Sequence, residues 1–222
     1  MPATDRTAEA TTGTRATRPA QKELKQERAR ITRGQILHTA AELFARNGYP
    51  SVTLQDVAEG VSLTKGAVYF HFANKEALAV AVVQEHYRRW DPIVQEILDR
   101  GLSPLSSLFA VLESIARAFR EDIMIQGGAR LQLERSLINA DLPTPYISWT
   151  AAFTSLCRAA RESGQLRPEV DPGALARVLV STLFGLQHIS DVLHGRADMM
   201  DRYEEMRDIV FAGLVTAPPA DA

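Results

Sequence analysis

Cysteine is nearly absent from this chain of 222 residues: Cys157 stands alone. One thiol excludes an internal disulfide framework and any metal site built on several cysteines. No apolar run approaches the ~20 residues that a membrane-crossing helix needs; the longest dense stretch is 78–83. The first residues lack the apolar segment of a secretory signal. No segment alternates with the period of a strand, and no internal repeat is visible. These absences predict a soluble, cytoplasmic, all-α protein with no membrane partner. A hydrophobic content of 45% supplies a sizeable core, and the length suits one large or two small domains.

The net charge of −2 hides an asymmetry. Residues 21–75 hold eight Lys/Arg against five acids, a net of +3, and residues 76–222 hold 14 against 20, a net of −6. A basic segment on an acidic body suits a nucleic-acid reader, because cations meet phosphates while the body avoids non-specific binding. Chance scatter of surface charge gives the same numbers, so charge alone does not decide.

Residues 1–20 are rich in Thr, Ala and Arg and bury too little apolar surface to order themselves, which predicts a disordered tail. From about Gln21 the pattern is helical, with Ile36, Ala40, Leu43 and Phe44 on one stripe. Asn47-Gly48 and Pro50 end that helix. A helix is expected after Asn74, bent at Asp91-Pro92. Others are expected over 105–119, from Gly127 through Leu137, over 148–163, 173–194 and 199–214. The Pro-Pro tail at 217–222 is expected to fray.

The most informative stretch runs from Thr53 to Phe72. Thr53 caps a short helix with Asp56 at its third position; Gly60 permits a tight exit, and Val61 packs in the turn. Ser62 or Leu63 leads into a second helix that Ala67, Val68 and Phe70 pack down. Thr64, Lys65, Gly66, Tyr69 and His71 are left outward. Lys65 suits phosphate or guanine acceptors and Tyr69 suits phosphate. Gly66 permits close approach, and the helix start favours an anion. In helix-turn-helix proteins that helix reads the major groove. The DNA-facing set is completed by Thr53, Ser62, Lys75 and a basic arm of Lys22, Lys25, Arg28 and Arg30, for which a solvated, flexible tail is the plain alternative.

These residues resemble the tetracycline repressor (TetR) family. The matching pattern is Ile36-Leu37-x-x-Ala40-Ala41-x-Leu43-Phe44, then Gly48-Tyr49, Thr53-Leu54-x-x-Val57-Ala58, and Gly66 to Phe72 followed by Lys75-Glu76-x-Leu78. The resemblance implies a three-helix DNA-binding domain over 21–75 and a helical ligand-binding and dimerisation domain over 76–216. It also implies repression of operator DNA lifted by a small molecule. Thr64 to Phe72 and Pro145-Tyr146-Ile147-Ser148-Trp149 are similar to the γ-butyrolactone autoregulator receptors, nearest those for methylenomycin-type furans. That similarity implies a pocket of Tyr87, Gln132, Tyr146 and Trp149, extended by Thr182 and His86. Trp149 offers a flat apolar wall, and the two tyrosines and Gln132 offer hydrogen bonds to a lactone or furan carboxylate. Without the resemblance, Trp149 and Tyr146 read first as core, and His86 as a core or surface histidine.

A homodimer is expected to pair helices 173–194 and 199–214 across a two-fold axis. No cofactor or metal is expected. A helical enzyme is the rival reading; no Gly-rich phosphate loop, metal-ligand cluster or Ser/His/Asp pattern supports it, and His188, Asp191 and His194 are poorly spaced for one. A receptor that binds DNA without hormone response is the remaining alternative.

Overall fold

A computed structural model describes residues 18–216. The tails expected at 1–20 and 217–222 lie outside the described residues, except that residues 18–20 already begin a helix. The described residues are all-α. They form α1 (Arg18–Ser51), α2 (Leu54–Gly60), α3 (Lys65–His71), α4 (Lys75–Arg88) and α5 (Trp90–Asp99). After these come α6 (Pro104–Glu121), α7 (Ile123–Leu133), α8 (Ile147–Glu162), α9 (Pro172–His194) and α10 (Met199–Phe211). A 3-10 turn spans Arg135–Leu137, and an isolated bridge pairs Leu166 with Val215. The chain divides into two units after Gln35. The described part of the first is the leading stretch of α1, and the second, from Ile36, holds everything else.

Local chemistry explains most boundaries. Gly48 (φ 73°) breaks the regular course of α1 just before Pro50, a conformation open to glycine at no steric cost. Thr53 and Asp56 form a capping box at α2: Thr53 Oγ1 accepts from the Asp56 amide at 3.2 Å, and Asp56 Oδ2 accepts from the Thr53 amide at 2.7 Å. Asn74 accepts from the Ala77 amide at 2.7 Å and starts α4. Proline occupies the first position of α6 and of α9, behind Ser103 and Asp171 as caps, where its missing N–H costs nothing.

Four expectations need correction. The break expected at Asp91-Pro92 lies at Arg89, because Pro92 falls within the first turn of α5, where proline is tolerated. The helix expected to begin near Gly127 and run through Leu137 starts at Ile123 but stops at Leu133, and a 3-10 turn takes Arg135–Leu137. Gly60 has an ordinary helical backbone; it is small because a Cβ there would sit 2.6 Å from Thr39 Cγ2 on α1. The left-handed residue in the turn is Ser62 (φ 55°). Phe70 does not pack down α3 but is 82% exposed.

The second unit contains two cores. One joins the α1 stripe (Ile36, Ala40, Phe44) to Val57, Val68, Leu78 and Val82, with Met124 and Leu131 of α7. The other joins α5, α6, α8, α9 and α10 around Leu108, Leu112, Phe119, Phe153, Leu179 and Tyr203, with Ile125 and Ala129 of α7. Helix α7 therefore contributes side chains to both.

Candidate functional site

Helices α2 and α3 form a helix-turn-helix in which Val57, Ala58 and Val68 are fully buried. Thr64 caps α3, its hydroxyl accepting from the Ala67 amide at 3.2 Å. Lys65, Gly66 and Tyr69 face outward, with the Lys65 ammonium 5.8 Å from the centre of the Tyr69 ring. Tyr69 is 47% exposed, and Ser62 and Thr64 are exposed beside it in the chain. His71 is half-buried, edge-on to Phe70 at 5.2 Å. Thr53 is exposed, but its hydroxyl is engaged by the capping box. Lys75 is half-buried: its ammonium donates to Pro50 O at 3.3 Å and lies 4.1 Å over the Tyr49 ring, and burial pushes its pKa down.

In the first unit Lys22, Lys25, Arg28 and Arg30 are exposed along the leading stretch of α1. Arg30 is paired with Glu27 at 2.6 Å. These four cations lie on helix, the pattern expected from about Gln21, and not on the flexible tail given as the alternative.

A second constellation lies where α4, α7, α8 and α9 meet. A narrow cavity of about 10 Å³ is lined by His86, Tyr87, Ala129, Gln132, Leu133, Pro145, Tyr146, Trp149, Phe184 and Gln187. The volume barely suffices for one water. Gln132 donates to Tyr87 Oη at 3.1 Å and to Pro143 O at 3.2 Å, while its own Oε1 is buried without a partner. An orphaned acceptor of this kind is costly. Trp149 is 6% exposed and meets Trp90 edge-on at 5.2 Å. Tyr146 meets Phe184 at 4.6 Å and takes a left-handed backbone (φ 71°), a strain of about 1–3 kcal/mol for a bulky residue.

His86 forms the floor. Its Nε2 accepts from the Trp90 indole N–H at 3.3 Å, which leaves Nδ1 to carry the proton and donate to Ile125 O at 3.0 Å. Burial drives its pKa down to about 4, so the ring is neutral. Burial likewise raises the pKa of Tyr87 and of Tyr146, so both stay protonated donors. Open clefts flank the cavity, among them one of about 560 Å³ that shares Pro145 and Tyr146 with it. Another of about 460 Å³ shares Tyr87 and Trp149 with it, and one of about 490 Å³ shares Leu133, Tyr146 and Phe184.

Two family models match the chain. That for bacterial regulatory proteins of the tetR family covers residues 36–82, and that for the tetracyclin repressor-like C-terminal domain covers 102–216. The chain belongs to the TetR family. This regulator is 34% identical over 182 residues to the A-factor receptor protein of Streptomyces griseus, a match spanning 82% of this chain and 63% of that protein's length. A solved structure concerned with the molecular basis for control of antibiotic production by bacterial hormones is 52% identical. It covers 84% of this chain and 98% of its own, with a TM-score of 0.77. The TetR-family protein CprB of Streptomyces coelicolor, solved with its biological operator sequence, is 31% identical with a TM-score of 0.77, covering 86% of this chain and 92% of that one.

Within this TetR-family regulator five of the six residues expected at a pocket (His86, Tyr87, Gln132, Tyr146 and Trp149) converge on one cavity. Thr182 does not: it is half-buried on α9, outside that lining and the flanking clefts. Sequence reasoning missed Phe184 and Gln187, which α9 brings to the cavity, and Trp90, which braces Trp149 and His86. It also missed Phe70 as an outward residue of α3. Among the described residues no group of three or more His, Cys, Asp or Glu side chains could hold a metal ion. Nor, among the described residues, is any helix long and apolar enough to cross a membrane.

Proposed function

We propose that this TetR-family regulator is a homodimeric repressor of double-stranded operator DNA, released by a small diffusible signal of the γ-butyrolactone, butenolide or furan class. A furan carboxylate of the methylenomycin type is the nearest fit, and genes of specialised metabolism the targets. The observation that carries this reading is the presence, in one chain, of an outward cation-bearing helix in a helix-turn-helix and a buried aromatic cavity holding an orphaned polar atom. In this reading residues 21–75 read DNA, residues 76–216 bind ligand and dimerise, and both tails are accessory. Lys65 and Tyr69 meet base edges and phosphate; Thr53, Ser62, Thr64, Gly66, His71 and Lys75 frame them; and Lys22, Lys25, Arg28 and Arg30 add phosphate contacts.

The ligand side follows from volume. A drug-sized pocket is roughly 300–1,000 Å³, and the cavity, at about 10 Å³, is far smaller. The signal therefore binds a shape in which Trp149 or Tyr146 has moved and the cavity joins a flanking cleft. It acts only through its differential affinity for that shape. Tyr87, Tyr146 and Gln132 supply polar contacts, with His86 as floor; Thr182 lies on α9 outside the present lining. For dimerisation the supporting observation is unpartnered apolar surface on α9 and α10: Val178, Ile189, Val192, Leu193 and Ile209 are all at least 45% exposed. The matching inner faces, including Leu179, Leu183, Tyr203 and Met206, are buried in the chain's own core.

A gel-shift titration of DNA from upstream of the gene, with a panel of γ-butyrolactones, butenolides and alkylfuran carboxylic acids, tests the reading. Retention of that DNA and release by at least one class is the expected result. Retention that no class relieves points to a receptor without hormone response, and no retention defeats the reading outright.

A further inference from the structure

We infer that Glu134, at the C-terminal end of α7, is a positioning residue through which the state of the cavity reaches the DNA-reading helices. The inference rests on the ligand-released repressor reading above. Its carboxylate oxygen Oε2 accepts from the Tyr49 backbone amide at 2.5 Å, and its other oxygen accepts from Arg130 Nε at 2.7 Å. Arg130 and Glu134 lie four residues apart, so α7 itself aims the carboxylate. The target is the sharpest bend of α1. Gly48 has φ 73°, and a Cβ there would sit 2.8 Å from Glu134 Oε1, so the glycine satisfies both the backbone angle and the close approach of the acid.

Tyr49 is a junction rather than an end point. Its hydroxyl donates to Glu76 Oε1 at 3.0 Å, and the Lys75 ammonium covers its ring. The one hydrogen bond that Glu134 accepts from the Tyr49 amide thus fixes the end of α1 and, through Tyr49, the start of α4, the two elements that flank α2 and α3 in the chain.

The same helix has no slack at its other contacts. A Cβ at Gly127 would stand 2.6 Å from Ala41 O on α1, and one at Gly128 would stand 2.3 Å from His86 Cβ on α4. Backbone packed directly on backbone or on a Cβ transmits displacement, because close-packed interiors do not deform continuously. Ala129 and Gln132 of α7 line the cavity, and its Met124 and Leu131 belong to the core beneath the helix-turn-helix. An occupant that forces Gln132 or His86 outward must carry Glu134 with it. The bond to Tyr49 is then lost or re-aimed, and the reading helices lose their fixed setting.

The test compares wild type, Glu134→Ala and Glu134→Gln on three readouts: operator affinity without ligand, amide exchange at Tyr49, and release by an alkylfuran carboxylic acid. Tryptophan fluorescence reports cavity occupancy. Glu134→Ala is expected to bind operator about tenfold more weakly, the loss of one charge-assisted hydrogen bond, and to exchange its Tyr49 amide faster. Its fluorescence response to the furan acid stays at the wild-type midpoint while release is blunted. Glu134→Gln keeps an acceptor for the Tyr49 amide and is expected to recover most of the operator affinity. Wild-type operator affinity in Glu134→Ala overturns the inference. So does equal impairment of both variants, which would mark a role in folding alone. A wild type that binds operator but ignores every furan acid and lactone defeats the signalling reading instead, and the ligand-free affinities and Tyr49 exchange still decide for or against Glu134.

Discussion

Tyr69 and Trp149 are both aromatic residues on amphipathic helices, yet Tyr69 is 47% exposed and Trp149 6%. The difference reflects two kinds of site. On α3 the side chains are held by a short, well-capped helix and point into solvent, so the surface is complete before any partner arrives. Around the cavity the side chains hold one another: Trp149 on Trp90, Trp90 on His86, and Tyr146 on Phe184. That site has room for no more than a water and must widen to admit a ligand. A surface built for DNA can be changed at little expense to folding, whereas a cavity wall is also core. The region proposed to recognise the operator is therefore expected to tolerate substitution, and the region proposed to sense a ligand is not.

This contrast can be attacked at its strongest point first. Trp149→Ala is expected to lower folding stability by about 3–5 kcal/mol, measured by urea unfolding at fixed protein concentration, and a loss below about 1 kcal/mol would show that the cavity wall is not core. The next effect is pH-dependent. The folded-state pKa of His86 is about 4, below its ordinary value of 6.5, so the fold favours the neutral ring. That stabilisation is complete above pH 6.5 and is lost as pH falls towards 4, by about 3 kcal/mol at the lower end. Melting curves across this window should be steeper in pH for wild type than for His86→Gln; parallel curves would remove His86 as the cause.

On the DNA side, Lys65→Ala is expected to weaken operator binding about tenfold and to lower the salt slope by about one, with thermal stability unchanged. Unchanged affinity in a salt-controlled gel shift would count against α3 as the reading helix. Phe70→Ala sharpens the comparison, since an aromatic deletion in a core is severe. Here stability should stay within about 0.5 kcal/mol while operator affinity falls severalfold. Tyr146→Phe carries the smallest change: operator binding intact and release by the furan acid a few-fold poorer. Normal release would take the Tyr146 hydroxyl out of the ligand contacts.

Legibility in the sequence followed the range of the interactions. Caps are local, so Thr53 with Asp56, Asn74 before α4 and Gly48 before Pro50 could be placed from neighbours three or four residues away. The five cavity residues were reached through a resemblance, and their convergence depends on helices far apart in the chain. Phe184 and Gln187 carried no signal because an apolar face on α9 looks the same whether it covers core, cavity or a second copy. Phe70 misled because a helix of seven residues is too short for periodicity to fix its inner face. Gly60 was read as a turn residue, when contact with Thr39 on α1 is what excludes a side chain. Glu134 was invisible for the same reason: its partner lies 85 residues earlier in the chain.

Both tryptophans of the chain, Trp90 and Trp149, stand at the cavity and its adjoining cleft, so their fluorescence reports occupancy while the anisotropy of a labelled operator duplex reports release. Titrating one alkylfuran carboxylic acid or γ-butyrolactone into the wild-type complex, with both signals recorded on one sample, is the most direct test. Linkage requires the two signals to move together with a common midpoint. A tryptophan signal that saturates while the duplex stays bound would contradict the account.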